Sequence, residues 1–306
     1  MRTFWLNFHV NYACRHSGAC CSSGWPIPVE HDCVTPIRSL AARLDNAWLV
    51  PAVDAPAAVA GILALSANGH CVFHGDTGCG VYAARPASCA HFPYVCLIDP
   101  RGVHVTLSHY CPTAVSMLFE PAQPIAIVEG PSPVPDRAFP EGLDARESLP
   151  PLASPGRLMT FEALTAWEQS AVAASYSAGP VAIDASVRRE LFERARQAVP
   201  APLDWPAAPG DLDRLWSELV APAWADYAVA LARYRAAKAF ASWALYLGDG
   251  IAAVNRSVEQ AVAVLQVEAA RQCAADGQVL NAGRLTEAIR RTDLLLVHYA
   301  DAALLL

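Results

Sequence analysis

Nine of the ten cysteines of this 306-residue chain fall between Cys14 and Cys111, together with seven of its nine histidines. The nine are Cys14, Cys20, Cys21, Cys33, Cys71, Cys79, Cys89, Cys96 and Cys111, and Cys273 stands alone far downstream. Thiolates are soft, anionic donors suited to Zn2+ and to iron–sulfur clusters, and a bound metal offsets the repulsion among them. The spacing is informative by what it lacks. No Cys-x-x-Cys occurs, which excludes the zinc ribbon, the zinc finger, the thioredoxin motif and the bacterial ferredoxin run. What remains is Cys-x5-Cys-Cys (Cys14, Cys20, Cys21), then Cys71, then Cys-x9-Cys (Cys79, Cys89), then Cys111. Gly18, Gly24, Gly78 and Gly80 lie beside these cysteines, where a glycine lets the backbone turn towards a ligand. His16, His70, His74, His91 and His109 are close enough in sequence to ligate a metal or to donate hydrogen bonds to sulfur. Such a density of thiols within Gly, Pro and His loops exceeds what packing requires, whereas Cys273, on an alanine-rich helix, reads as core.

Composition limits the setting. The net charge of −7 and a pI near 5.7 argue against nucleic acid, because phosphate binding needs a basic footprint. The N-terminus lacks the pattern of a signal peptide, since Asn7, His9 and Asn11 interrupt the apolar run. The longest uncharged stretches contain Pro, Asn and Gly and make poor membrane spans. A cytoplasmic location without membrane association is the expectation, and clustered cysteines in a reducing compartment read as metal-binding before they read as disulfides.

The elements that must position these residues follow from periodicity. Phe4, Leu6, Phe8 and Val10 alternate with polar neighbours and predict a short strand, as do Val103, Val105 and Leu107. Residues 14–33 and 70–112 are loop-rich. Pro36 is expected to open a helix carrying Ile37, Leu40, Leu44 and Trp48, and a second short helix is expected over 56–67. Nine prolines between Pro121 and Pro155 predict an irregular connector. Beyond it the chain is alanine-rich, with helices expected over about 160–177, 185–199, 211–247, 250–275 and 283–305. The expected fold class is therefore mainly α: a cysteine-rich, loop-dominated N-terminal region with a few short strands, followed by an α-helical bundle. The expected divisions are 1–120, a Pro-rich connector over 121–157, and 158–306.

The segments CVFHGDTGCGVYAARPASCAHFP and LSHYCP, with Cys-x5-Cys-Cys and Trp25 ahead of them, resemble the CxxCxxCC cysteine-cluster family, described as zinc- or iron-chelating. The layout is similar to its branch of flagellin lysine-N-methylases. The resemblance spans about residues 12–115 and places the family's cysteines on Cys14, Cys20, Cys21, Cys71, Cys79, Cys89 and Cys111. It implies a [4Fe–4S] cluster ahead of Zn2+. It also implies S-adenosylmethionine as methyl donor and a protein as substrate. The chain departs from the family pattern where Cys-x5-Cys-Cys replaces Cys-x2-Cys-x2-Cys-Cys, and the residues themselves show no glycine-rich nucleotide loop. Two readings therefore stand: a protein lysine methylase-like enzyme, and a non-catalytic zinc or iron protein. A zinc hydrolase would in addition need a carboxylate base such as Asp76 or Glu30.

Overall fold

The computed structural model describes residues 1–41, 47–52, 55–135, 140–177 and 179–305. In chain order the principal elements are β1 (Thr3–Leu6), β2 (Pro28–Glu30), α1 (His31–Leu40), β3 (Leu49–Val50), β4 (Val59–Leu63), β5 (His74–Gly75) and β6 (Gly78–Cys79). There follow α2 (Ala87–His91), β7 (Tyr94–Asp99), β8 (Gly102–Leu107), α3 (Pro112–Met117), β9 (Ile127–Glu129) and β10 (Leu143–Asp144). The C-terminal half carries α4 (Phe161–Ser177), α5 (Ala185–Gln197), α6 (Ala228–Ala239), α7 (Ile251–Ala274) and α8 (Ala282–Asp293), with shorter turns between them. The chain divides into two units. One comprises Met1–Tyr12, Pro93–Ser132 and Glu141–Leu306, and the other Ala13–Phe92 with Pro133–Pro140. The expected division at 1–120, 121–157 and 158–306 runs differently, because the first strand and the β7–β8 hairpin group with the helices.

The first unit is built on a five-stranded mixed sheet of order β10-β7-β8-β1-β9. β7 and β8 form an antiparallel hairpin, and β1 runs parallel to β8 with Trp5 opposite Val105. Every residue of β8 is buried, as a central strand covered on both faces requires. Helices α4 to α8 complete this unit, and one core joins Leu6, Leu97, Phe192, Tyr234, Leu265 and Ile289. The helix ends obey local rules. Asp184 accepts from Ser186 N at 2.9 Å to start α5, and Asn281 accepts from Arg284 N at 2.9 Å to start α8.

The expectation of a mainly α fold is corrected here. Among the described residues there are four small sheets beside the helices, so the content is mixed α and β. β7 escaped the sequence reading, and the expected helix over 56–67 is instead β4, paired antiparallel with β2 and β3. Pairing and burial override the helical propensity of its alanines. Gly61 explains the strand locally: a Cβ there would stand 2.6 Å from Val50 O, so only glycine lets β3 approach. Pro36 does not open a helix but lies inside α1, and Trp48 falls in the turn ahead of β3. Residues 42–46, with Leu44 among them, lie outside the described residues, as does the terminal Leu306.

The expected long helix over 211–247 is broken. Pro222 has no N–H and its ring opposes the carbonyl of residue 218. The backbone widens into a π turn over Trp216–Val220, where Ala221 N donates to Trp216 O. At the other end Ala241 adopts φ +55° and closes α6 well before Gly248. The expected helix over 283–305 likewise passes into a π turn, Leu294–Tyr299, after Asp293. α4, α5 and α7 form close to their expected bounds. No helix among the described residues is long and apolar enough to cross a membrane.

Gly250 precedes α7 at φ +71°, ψ −131°, and a Cβ there would lie 2.0 Å from Leu152 O. Gly250→Ala is expected to destabilise the protein by about 2–4 kcal/mol, combining backbone strain with a clash against rigid backbone. A lowered denaturant midpoint measures it. An unchanged midpoint contradicts the close approach.

Candidate metal centre

The unit formed by Ala13–Phe92 with Pro133–Pro140 contains six of the seven predicted ligands, and Cys21, Cys71, Cys79 and Cys89 belong to or pack against its small core of Ile27, Val29, Ile37, Trp48, Leu63, Phe73 and Val81. Each thiol is delivered by its own local device. Cys20 and Cys21 sit on a single 3-10 turn, Ala19–Cys21, entered through Gly18 at φ +74°. A Cβ on Gly18 would lie 2.1 Å from His74 Nε2, so glycine is what lets the His74 ring cover that turn. Cys71 N donates to Cys21 O at 2.7 Å and ties the second thiol segment to the first. Cys79 lies on the tight β5–β6 hairpin, opposite His74. Cys89 is carried by α2, whose first turn is held by Glu30: both carboxylate oxygens accept from Ala87 N at 3.2 Å. Glu30 is therefore engaged as a helix cap, and Asp76 sits exposed in the hairpin turn. Neither is placed as the base of a hydrolase.

The sulfurs interact. Cys20 Sγ lies 3.9 Å from Cys21 Sγ, and Cys79 perturbs the Cys21 thiol as well. Hydrogen bonding with Cys21 draws the Cys20 thiol down to about 7 and the Cys79 thiol down to about 6. Cys21 is driven up by the same interactions. Burial pushes Cys89 up to about 12 and raises Cys71, and both also feel the charge of Cys20 and Cys79. Cys20 and Cys79 are thus the more acidic thiols of the group, and Cys71 and Cys89 the less acidic ones. Among the described residues no three Cys, His, Asp or Glu side chains converge on one ion position. The donors are of the soft type that zinc and iron–sulfur clusters take. Thiolate is the ligating form of cysteine, and the Cys20–Cys21 separation matches the edge, about 3.8 Å, of a tetrahedron built on zinc–sulfur bonds of about 2.3 Å.

Two predicted ligands stand apart. Cys14 belongs to the same unit, but its sulfur accepts from His16 N at 3.4 Å and joins none of the sulfur–sulfur interactions recorded among the described residues. Cys111 belongs to the other unit, where it is buried at the start of α3 with its sulfur 3.5 Å from Tyr12 OH. Cys33 is half-buried and raised to about 11 by burial and then by Glu30, while Cys96 is fully buried in β7. Cys273 is core on α7 and points its sulfur at Leu219 O.

Sequence reasoning missed a second polar cluster, in the unit with the helices. Asp293, fully buried at the end of α8, accepts from Tyr234 OH at 2.9 Å and from Lys238 Nζ at 2.6 Å. It also accepts from His109 N at 2.7 Å and His109 Nδ1 at 3.2 Å. With Nδ1 donating, His109 Nε2 accepts from His9 Nε2 at 3.2 Å, and His9 Nδ1 is left without a partner among the described residues. Ser108 Oγ meets His298 Nε2 at 2.7 Å beside it. The traces in the sequence were the solitary Lys238 and the Ser-His-Tyr-Cys run.

These groups make the fold acid-sensitive. Burial lowers His9, His109 and His298, the last to about 4, so all three are neutral in the folded state. Burial alone would raise Asp293, but Lys238 and then His109 hold it below the usual carboxylate range. The unfolded chain takes up protons below about pH 6.5 that the folded chain refuses. Stability is therefore expected to fall as pH drops from about 6.5 to 4, with His298 alone contributing about 3 kcal/mol, and again below about 4 as Asp293 protonates. Urea midpoints between pH 7.5 and 4 check this, and a flat profile contradicts it.

No family model matches this chain, nor does a curated protein or a solved structure.

Proposed function

We propose that this is a metal-thiolate protein whose centre is held by Cys20, Cys21, Cys71, Cys79 and Cys89. The observation that carries the reading is the Cys20–Cys21 sulfur contact at 3.9 Å in a unit that also holds Cys71, Cys79 and Cys89, whose thiols feel one another's charge. The metal's work is in the first place structural. The surrounding unit buries few large side chains and leaves much of its backbone in short turns, a situation in which metal binding supplies folding free energy. Free thiols of this kind suit a reducing, cytoplasmic setting.

The occupant implied by the resemblance is a [4Fe–4S] cluster, and five thiols offer one more ligand than a cubane takes. The second reading, Zn2+, is favoured by the 3.9 Å Cys20–Cys21 separation, because two sulfurs on one tetrahedral ion lie closer together than two on separate irons of a cubane. Protein purified anaerobically decides between them. The cluster reading expects brown protein with about four irons per chain. The zinc reading expects colourless protein with a single zinc. Protein with neither metal contradicts the proposal. Methyl transfer from S-adenosylmethionine to a protein lysine rests on the resemblance alone, and a calorimetric titration showing no heat with S-adenosylmethionine counts against it.

A further inference from the structure

Cysteines adjacent in an extended chain point to opposite faces and hold their sulfurs apart. Cys20 and Cys21 do the reverse: their sulfurs lie 3.9 Å from each other, in contact. The cause is local. Both residues sit on the 3-10 turn Ala19–Cys21, where successive side chains rotate by about 120° in place of the 180° of a strand. Gly18 at φ +74° leads into the turn and Gly24 at φ +77° follows it. Cys21 N and Ser22 N close the turn by donating to Gly18 O at 2.9 and 3.0 Å. Both thiols are half-buried, and Ser17, Ser22 and Gly24 around them are exposed, so the pair keeps access to solvent.

One bond ties this pair to the rest of its unit: Cys21 O accepts from Cys71 N at 2.7 Å. Drawing the sulfurs from 3.9 Å to the about 2.05 Å of a disulfide twists the Cys20–Cys21 peptide and moves that carbonyl. Neighbouring Cα atoms across a trans peptide stand about 3.8 Å apart, short of the about 4.4 Å at which ordinary disulfides begin. A disulfide between neighbours is therefore strained, and strained disulfides are readily reduced.

We propose that Cys20 and Cys21 are an oxidative modification site, which hydrogen peroxide converts to a reversible disulfide that frees the turn from Cys71. One sulfur, as thiolate, attacks a peroxide oxygen; the O–O bond breaks, and the released hydroxide takes up a proton as water. The neighbouring sulfur, giving up its proton, attacks the sulfenic sulfur; the S–S bond forms, the S–O bond breaks and a second water leaves. Two thiols and one peroxide thus give one disulfide and two waters, with sulfur oxidised and the peroxide oxygens reduced. A dithiol reverses the step. The inference stands on the sulfur contact and goes beyond the metal reading. Where a metal is bound, oxidation removes two of its donors, because thiolate is the ligating form.

The test uses the full chain, purified anaerobically and treated with about one equivalent of hydrogen peroxide. Remaining thiols are then alkylated and mapped by mass spectrometry. Cleavage after Arg15 and Arg38 releases a peptide with three cysteines, Cys20, Cys21 and Cys33. Without peroxide all three are expected to carry the alkyl group. After peroxide the peptide is expected to lose both labels at Cys20 and Cys21, to be lighter by two hydrogens, and to keep its label on Cys33. Dithiothreitol added before alkylation is expected to restore all three labels. Cys20→Ala and Cys21→Ala are each expected to give no disulfide within this peptide, and the wild-type map decides the matter if neither variant folds. Alkylated Cys20 and Cys21 after peroxide overturn the inference. So does a bridge from either to Cys33, Cys79 or another cysteine, or an oxidation that dithiothreitol does not reverse. Metal content followed in the same samples reports separately on the metal reading, whose failure leaves the disulfide map unaffected.

Discussion

Asp293→Ala is expected to destabilise the helix-bearing unit by about 3–5 kcal/mol, the usual cost of removing one partner of a buried ion pair. The carboxylate serves four donors at once: Tyr234 OH, Lys238 Nζ, and the backbone and ring N–H of His109. Alanine leaves each of them in a dry core. Tyr234 and His109 are fully buried, and the Lys238 side chain is only 16% exposed. The network also joins segments far apart in sequence, namely the exits of β1 and β8, α6 and the end of α8. Asp293→Asn keeps the shape and part of the acceptor capacity, so its cost should be smaller. Adding Lys238→Met to the asparagine variant removes the stranded ammonium and should recover part of the loss, the non-additivity expected of groups in one network. Urea unfolding of the three variants measures all of this. A cost below about 1 kcal/mol for the alanine variant would contradict the account of the network.

The second large effect is expected at Cys21 and Cys79. Cys21 is the sulfur in contact with Cys20 at 3.9 Å, and Cys79 is the most acidic thiol of the group, drawn down to about 6. Cys21→Ser or Cys79→Ser replaces a soft donor with a hard, protonated one and should abolish metal retention. The thiol-bearing unit should then lose its cooperative unfolding and become open to protease, since metal binding to such sites is coupled to folding. Cys273→Ser alters neither, because that thiol packs in the core of the other unit.

Legibility in the sequence followed the range of the interactions involved. β8 was visible because Val103, Val105 and Leu107 alternate, and α7 because its apolar stripe is regular. β4 was not, because Val59–Leu63 has no strand character apart from its partners, and its identity depends on β2, β3 and the missing side chain of Gly61. The π turns were hidden for a similar reason. Pro222 signals a break, but how the backbone accommodates it is settled by packing. Within the candidate site, the sequence reading named seven cysteines and favoured Cys20, Cys21, Cys79 and Cys89 among them; these four fall in one unit with Cys14 and Cys71, and Cys111 falls in the other. Which sulfurs meet is set by the 3-10 turn, the β5–β6 hairpin and the Glu30-capped helix α2. Asp293 was one acidic residue among 29. Its partners lie 55 to 184 positions away, beyond any local pattern.

Five particular sulfurs, and not the whole run of nine, are proposed to hold a metal. Metal content per chain after anaerobic purification tests it most directly, measured side by side for wild type, Cys79→Ser, Cys14→Ser and Cys111→Ser. The account predicts bound iron or zinc in the wild type, none in Cys79→Ser, and wild-type content in the Cys14 and Cys111 variants. Undiminished metal in Cys79→Ser, or a wild-type protein devoid of both metals, would contradict it.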